Sequence, residues 1–104
     1  MPNAVFFNSY KLKKGASSPD FLKAVEKLNN EHISKQKGFI SWQIFASENE
    51  WADMLTFETM EDVKAFEENS TANPSELALE FYSFINLMSC KSRYFTVERT
   101  YGFC

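Results

Sequence analysis

Apolar and polar residues alternate over residues 38–58, GFISWQIFAS, then the wholly polar Ser47, Glu48, Asn49 and Glu50, then WADMLTFE, and this pattern predicts a β-hairpin over 39–58. Strict alternation puts Phe39 and Phe45 on one face and Ile40, Trp42 and Ile44 on the other. Both faces carry large apolar side chains, so the sheet needs two covers. The first 12 residues add a strand over 4–12, AVFFNSYKL, rich in β-formers. Ser18, Pro19 and Asp20 then announce a helix, with Ser18 as N-cap, Pro19 at the first helical position and Asp20 against the positive dipole end. Its apolar stripe is Phe21, Leu22, Val25, Leu28 and Ile33, and the helix is expected to run to about residue 37, with Gly38 as a left-handed C-cap.

Thr59 and Asp62 resemble a capping box and open a second helix with Met60, Val63 and Phe66 inward. The polar run 67–72 interrupts it. Asn73 as cap, Pro74 at the first position and Glu76 restart a third helix, expected to reach about residue 88 and to bury Leu77, Phe81, Phe84, Ile85 and Met88. A last strand is expected over 93–101, RYFTVERTY. The order β-α-β-β-α-(α)-β leads most simply to an α+β, ferredoxin-like fold: a four-stranded antiparallel sheet with the helices on one face. One domain spanning 1–104, with its core over about 4–101, accommodates these elements. The open sheet face then needs a second subunit, giving a dimeric α+β barrel.

Composition changes this picture in one respect. Eleven Phe, four Tyr and two Trp make 16% of the chain, more than a small core needs, so a dimer interface and a ligand pocket share the surplus. Net charge is -3 with acids and bases interspersed, and the Lys-rich patch at Lys11, Lys13 and Lys14 is short, which argues against nucleic acid as a partner. Neither a basic-then-apolar leader nor an apolar run of about 20 residues occurs, so a cytoplasmic protein without a membrane partner is expected. Cys90 and Cys104 lie in no metal or redox spacing and read as free thiols, Cys104 at a frayed terminus; no metal is expected.

The run from Lys37 through the hairpin into ADMLTFETMEDVKAFEEN resembles the antibiotic-biosynthesis-monooxygenase family of the dimeric α+β barrel superfamily. Gly38, the strand aromatic Trp42, the Phe57 and Glu58 pair, and Phe66 stand at the positions that carry the resemblance. It implies a homodimer and a small-molecule ligand, and the superfamily includes cofactor-free oxygenases, haem degraders, isomerases and ligand-binding modules. Haem-degrading members use an Asn on the first strand, and a Trp and an iron-ligating His on the second helix. Asn8 matches the first and Phe66 stands near the Trp position, but residues 59–88 contain no His, so haem loses its anchor and no cofactor is expected.

The remaining candidates are polar. Asn8 interrupts an apolar strand in line with Phe6, Tyr10 and Leu12, and His32, the only histidine, follows Leu28 by four on the buried stripe of the first helix. Asn8 and His32 are the candidate catalytic residues, His32 as a general base or else as a hydrogen-bonded residue at a helix end. In the cofactor-free oxygenases that the family includes, an Asn and aromatic hydroxyls or indoles polarise a phenolic substrate. By residue type that implies Asn8, Tyr10, Trp42, Trp51, Tyr82 and Tyr94, and the substrate-binding set is Tyr10, Trp42, Phe66 and Tyr82, each aromatic having core or interface packing as its alternative. Among carboxylates, Glu58, Glu98 and Asp53 fall on strands with nothing to show that two converge, and Asp53 and Glu58 lie on opposite faces by parity. Cys90 lacks a spare base and reads as structural. Two functions stay open: a monooxygenase-like protein that binds a small aromatic or apolar molecule between helices and sheet, and a non-catalytic ligand-binding or regulatory module on the same barrel.

Overall fold

A computed structural model describes residues 2–102. Four strands, β1 (Ala4–Leu12), β2 (Phe39–Ala46), β3 (Trp51–Phe57) and β4 (Ile85–Thr96), form one antiparallel sheet in the order β2-β3-β1-β4. Three helices, α1 (Ser18–Glu31), α2 (Met60–Ala72) and α3 (Glu76–Ser83), follow the β-α-β-β-α-α-β order of the ferredoxin-like fold. The core lies between helices and sheet, where Phe21, Leu28, Leu55, Phe57, Val63 and Phe81 are buried. No helix of the described residues is long and apolar enough to cross a membrane.

Both hairpin arms form at their expected places, but the face assignment of β2 is corrected. Register shifts between Phe39 and Ser41, so Phe39 still opposes Phe57 while Trp42 opposes Leu55 and Ile44 opposes Asp53. An extra residue at Ile40 reverses the parity of everything before it. Phe39, Trp42 and Ile44 therefore pack on the core together, and Ile40 and Phe45 are left exposed.

The helix boundaries move for physical reasons. The cap of α1 is Ser17, whose hydroxyl accepts from the Asp20 N–H, which shifts Pro19 one place further into the first turn. The helix stops at Glu31 rather than near residue 37, and a 3-10 turn covers Ile33–Lys35. In a continued α-helix Ile33 would lie roughly 130° from the centre of the buried stripe. Breaking the helix at His32 turns Ile33 inward, where it is buried. Gly38 does take the left-handed conformation, at φ 81°, but it serves the entry to β2, and its carbonyl accepts from the Glu58 N–H at 2.8 Å.

Thr59 caps α2 as expected, accepting from the Asp62 N–H at 3.0 Å. The helix continues through the polar run to Ala72, because its last two turns face a chamber and solvent instead of core. Asn73 is the C-cap of α2, and the N-cap of α3 is Ser75, whose hydroxyl accepts from the Ala78 N–H. α3 ends at Ser83, not near 88, and the segment from Ile85 is already strand. Beyond Ser9 the β1–β4 register slips, from Ser9 opposite Lys91 to Lys11 opposite Asn86, so a wide bulge throws Met88 outward at 96% exposure. β4 ends at Thr96, leaving 97–101 outside the strand. Cys104 lies outside the described residues, and Cys90 is an exposed free thiol.

Candidate functional site

Alternation along β1 sends Phe6, Asn8 and Tyr10 to the helix-covered face, and the pairing register adds polar neighbours on both sides. Asn8 opposes Asp53 on β3 and Ser92 on β4, so three polar side chains cross the sheet in one row. They are bonded in sequence: Ser92 Oγ donates to Asn8 Oδ1, and Asn8 Nδ2 donates to Asp53 Oδ1 at 2.9 Å. Above the row a cavity of about 170 Å³ opens between the sheet and all three helices. Phe6, Leu28, Leu55, Phe66, Phe81 and Ile85 give it apolar walls, and Glu67, Ser70, Thr71 and Tyr82 line it from α2 and α3.

Asp53 is the unexpected member. Only 3% of it is exposed, in a wall that is otherwise largely aromatic. Burial pushes its carboxyl up to about 6, against the opposing pull of Asn8, Trp42 and Tyr10. The Trp42 indole N–H and the Tyr10 hydroxyl are close enough to steady the charge, yet neither makes a hydrogen bond of proper geometry to any described residue. Burial first, then the Asp53 charge, holds the Tyr10 hydroxyl far above the usual phenol range, so it stays protonated. Partial desolvation on its chamber side, then the Asp53 charge, raises the Cys90 thiol, which lines the same chamber and remains a thiol at neutral pH.

Of the expected residues, Asn8, Tyr10, His32, Trp42, Phe66 and Tyr82 all line this one cavity. His32 follows α1 with its backbone N–H on the Leu28 carbonyl; its ring, 6.4 Å from Phe66, has no hydrogen bond among the described residues. Trp51 is not brought in, since its ring packs at 5.3 Å against Phe21 at the far end of the core. Tyr94 stacks on Phe6 at 4.8 Å beneath the Lys64 ammonium, outside the cavity. Glu58 is exposed past the end of β3. Among the described residues no group of three or more His, Cys, Asp or Glu could hold a metal ion.

Sheet order and helix placement define a ferredoxin-like α+β fold. Solved structures place the chain within that fold group. SnoaB, a cofactor-independent oxygenase from Streptomyces nogalater, superposes with a TM-score of 0.72 at 12% identity, over 96% of this chain and 97% of that one. A putative antibiotic biosynthesis monooxygenase from Nitrosomonas europaea gives 0.68 at 14% identity over 96% and 94%, and a heme-degrading protein from Mycobacterium tuberculosis 0.66 at 15% over 98% of each. A dimeric ferredoxin-like protein from an uncultured marine organism gives 0.66 at 10% over 100% and 95%. No family model and no curated protein matches the sequence.

Proposed function

We propose that this protein binds a small aromatic molecule in the chamber between helices and sheet and oxidises it without a cofactor. The observation that carries the binding half is an apolar-walled cavity of about 170 Å³ with one buried carboxyl, Asp53, in its lining. Its fold is shared with SnoaB, a cofactor-independent oxygenase, which supports the catalytic half. In such a reaction Asn8 and Trp42 would polarise a phenolic substrate and His32 would take a proton, so that the resulting enolate meets dissolved oxygen directly. A haem reading is less well supported, because α2 carries no His and a cavity of about 170 Å³ is small for a porphyrin.

One observation favours the non-catalytic alternative. Both ends of the Asn8 amide are already engaged, by Ser92 and by Asp53, which is what a packing role would require. The two readings separate in one experiment: chelator-treated protein is mixed with a panel of small phenols, and bound ligand is followed by native mass spectrometry and oxygen uptake by electrode. The enzyme reading expects a one-to-one adduct and uptake that falls about 100-fold in Asn8→Ala, the scale of losing one positioned polar group. An adduct without uptake establishes the binding module, and no adduct with any phenol removes both.

The same proposal includes a homodimer. Phe45 on β2, Met54 on β3, Phe7 on β1 and Phe95 on β4 occupy the sheet face away from the helices, and Ile40 flanks them. A second sheet would cover this face, and one of the structural neighbours is described as dimeric. Sedimentation at micromolar concentration is expected to give twice the 12.1 kDa chain mass. Phe45→Lys, a charge on a half-exposed position, is expected to shift the mass to that of one chain with unchanged far-UV circular dichroism.

A further inference from the structure

We infer that the chamber between helices and sheet selects a positively charged ligand, a one-ring aromatic molecule bearing an ammonium group, whose charge is met by Asp53 and Glu67. This rests on the ligand-binding reading above, not on the oxidation, and adds the charge class of the ligand.

Acidic side chains line the chamber without basic ones to balance them. Asp53 on β3 and Glu67 on α2 line it, one from the sheet and one from the helix layer, and no Lys or Arg does. Among the described residues the single ion pair joins Lys37 to Asp62, outside the chamber, so neither His32 nor any other basic group pairs with either acid. Lys64, one turn before Glu67, is held over the Tyr94 ring, also outside the chamber. Asn8, Trp42 and Tyr10 stand toward Asp53 as donors, but all three are neutral and leave its charge uncompensated. For Glu67 the neutral donor is the Thr71 hydroxyl, at 3.1 Å. Tyr82, on the same lining, registers both acids: burial first, then the Glu67 and Asp53 charges, raise its hydroxyl.

Burying a carboxylate is unfavourable whether or not a ligand follows, and Asp53, 3% exposed, meets that cost within the fold. With its carboxyl at about 6, it is mostly ionised at neutral pH. An arriving cation therefore gains Coulomb energy in a region of low dielectric and has only its own desolvation to offset. The walls add to this, because Phe6, Trp42, Phe66, Phe81 and Tyr82 line the chamber, and an aromatic ring attracts a cation within about 6 Å of its centre, most strongly where water is excluded. A metal ion fits poorly, since two carboxylates among apolar walls offer few ligands, and no group of three or more His, Cys, Asp or Glu occurs among the described residues. An anion would face two like charges. An ammonium on an apolar body suits both the acids and the walls. An apolar cavity of about 150 Å³ holds benzene. This one, at about 170 Å³, suits one ring with a short arm for the charge.

Three probes of similar shape and different charge, 4-methylbenzylammonium, 4-methylbenzyl alcohol and 4-methylbenzoate, test this by calorimetric titration of the full chain at neutral pH. The ammonium should bind about tenfold tighter than the alcohol, the scale of a desolvated contact between a cation and an aromatic ring, and the benzoate should bind most weakly. Glu67→Gln and Asp53→Asn should each lower the ammonium's affinity and leave the alcohol's unchanged, whereas a loosened fold would weaken both. If Asp53→Asn does not fold, the three-probe series and Glu67→Gln decide the matter alone. An alcohol that binds as tightly as the ammonium, or a benzoate that binds tightest, overturns the charge assignment and leaves the binding reading intact. So does an ammonium affinity that neither variant lowers, whereas no binding of any of the three removes both.

Discussion

Phe21→Ala is expected to destabilise the protein by about 4 kcal/mol, the scale of removing a fully buried aromatic side chain together with the cavity it leaves. Phe21 is 0% exposed, and its ring lies 5.3 Å from Trp51, 5.5 Å from Phe81, 5.9 Å from Phe84 and 6.2 Å from Tyr10. It thus joins α1 to β1, β3 and α3 at one point, and no single neighbour can move into its space without leaving another contact. A domain of this size has roughly 5–15 kcal/mol of stability, so the variant should keep little reserve. Urea unfolding followed by far-UV circular dichroism checks it: the midpoint should fall with the slope unchanged. A loss below about 1 kcal/mol would mean that the aromatic cluster repacks around the hole.

Wherever one rule governed the chain locally, the sequence pattern told the fold. β1 was legible to the residue, because Val5, Phe6, Phe7 and Tyr10 are strand formers and Lys13 and Lys14 follow its end. The hairpin was legible because its polar turn and two alternating arms agree. What failed was set by tertiary demands. The stripe of α1 could not show that Ile33 reaches the core only if the helix breaks first. Phe81, Phe84, Ile85 and Met88 have helical spacing, yet Ile85 belongs to a strand that pairs with β1, and Met88 belongs to its bulge. A bulge at Ile40 likewise inverts the faces of β2 without any glycine or proline to mark it.

The chamber was partly legible for the same reason. Asn8 and Tyr10 share a parity that survives in the structure, and His32 sits on the stripe of α1 that the chamber borders. Asp53 was missed, although the signal was present: it alternates with Leu55 and Phe57, both buried, so parity alone places it inside. Whether Asp53 and Glu58 converge mattered less than expected. One acid turning inward without a basic partner was the informative feature.

Asp53→Asn is expected to stabilise the protein at neutral pH, by up to about 3 kcal/mol. In the unfolded chain this carboxyl titrates at 3.8, and in the folded protein at about 6. The folded state therefore holds the proton more tightly, and the stability that Asp53 contributes is fully present below 3.8 and lost as pH rises through about 6. Every tenfold gain in proton affinity on folding corresponds to about 1.4 kcal/mol, which gives the size of the penalty at pH 7. Burial is the leading cause, and the residue is 3% exposed, so solvent screening does little to reduce it. The direct check is the difference in unfolding free energy between variant and wild type at a series of pH values. It should be small and flat below about pH 4, grow through the window, and level off above about pH 7; a difference that stays constant from pH 4 to pH 7.5 would show that Asp53 is not strained by burial.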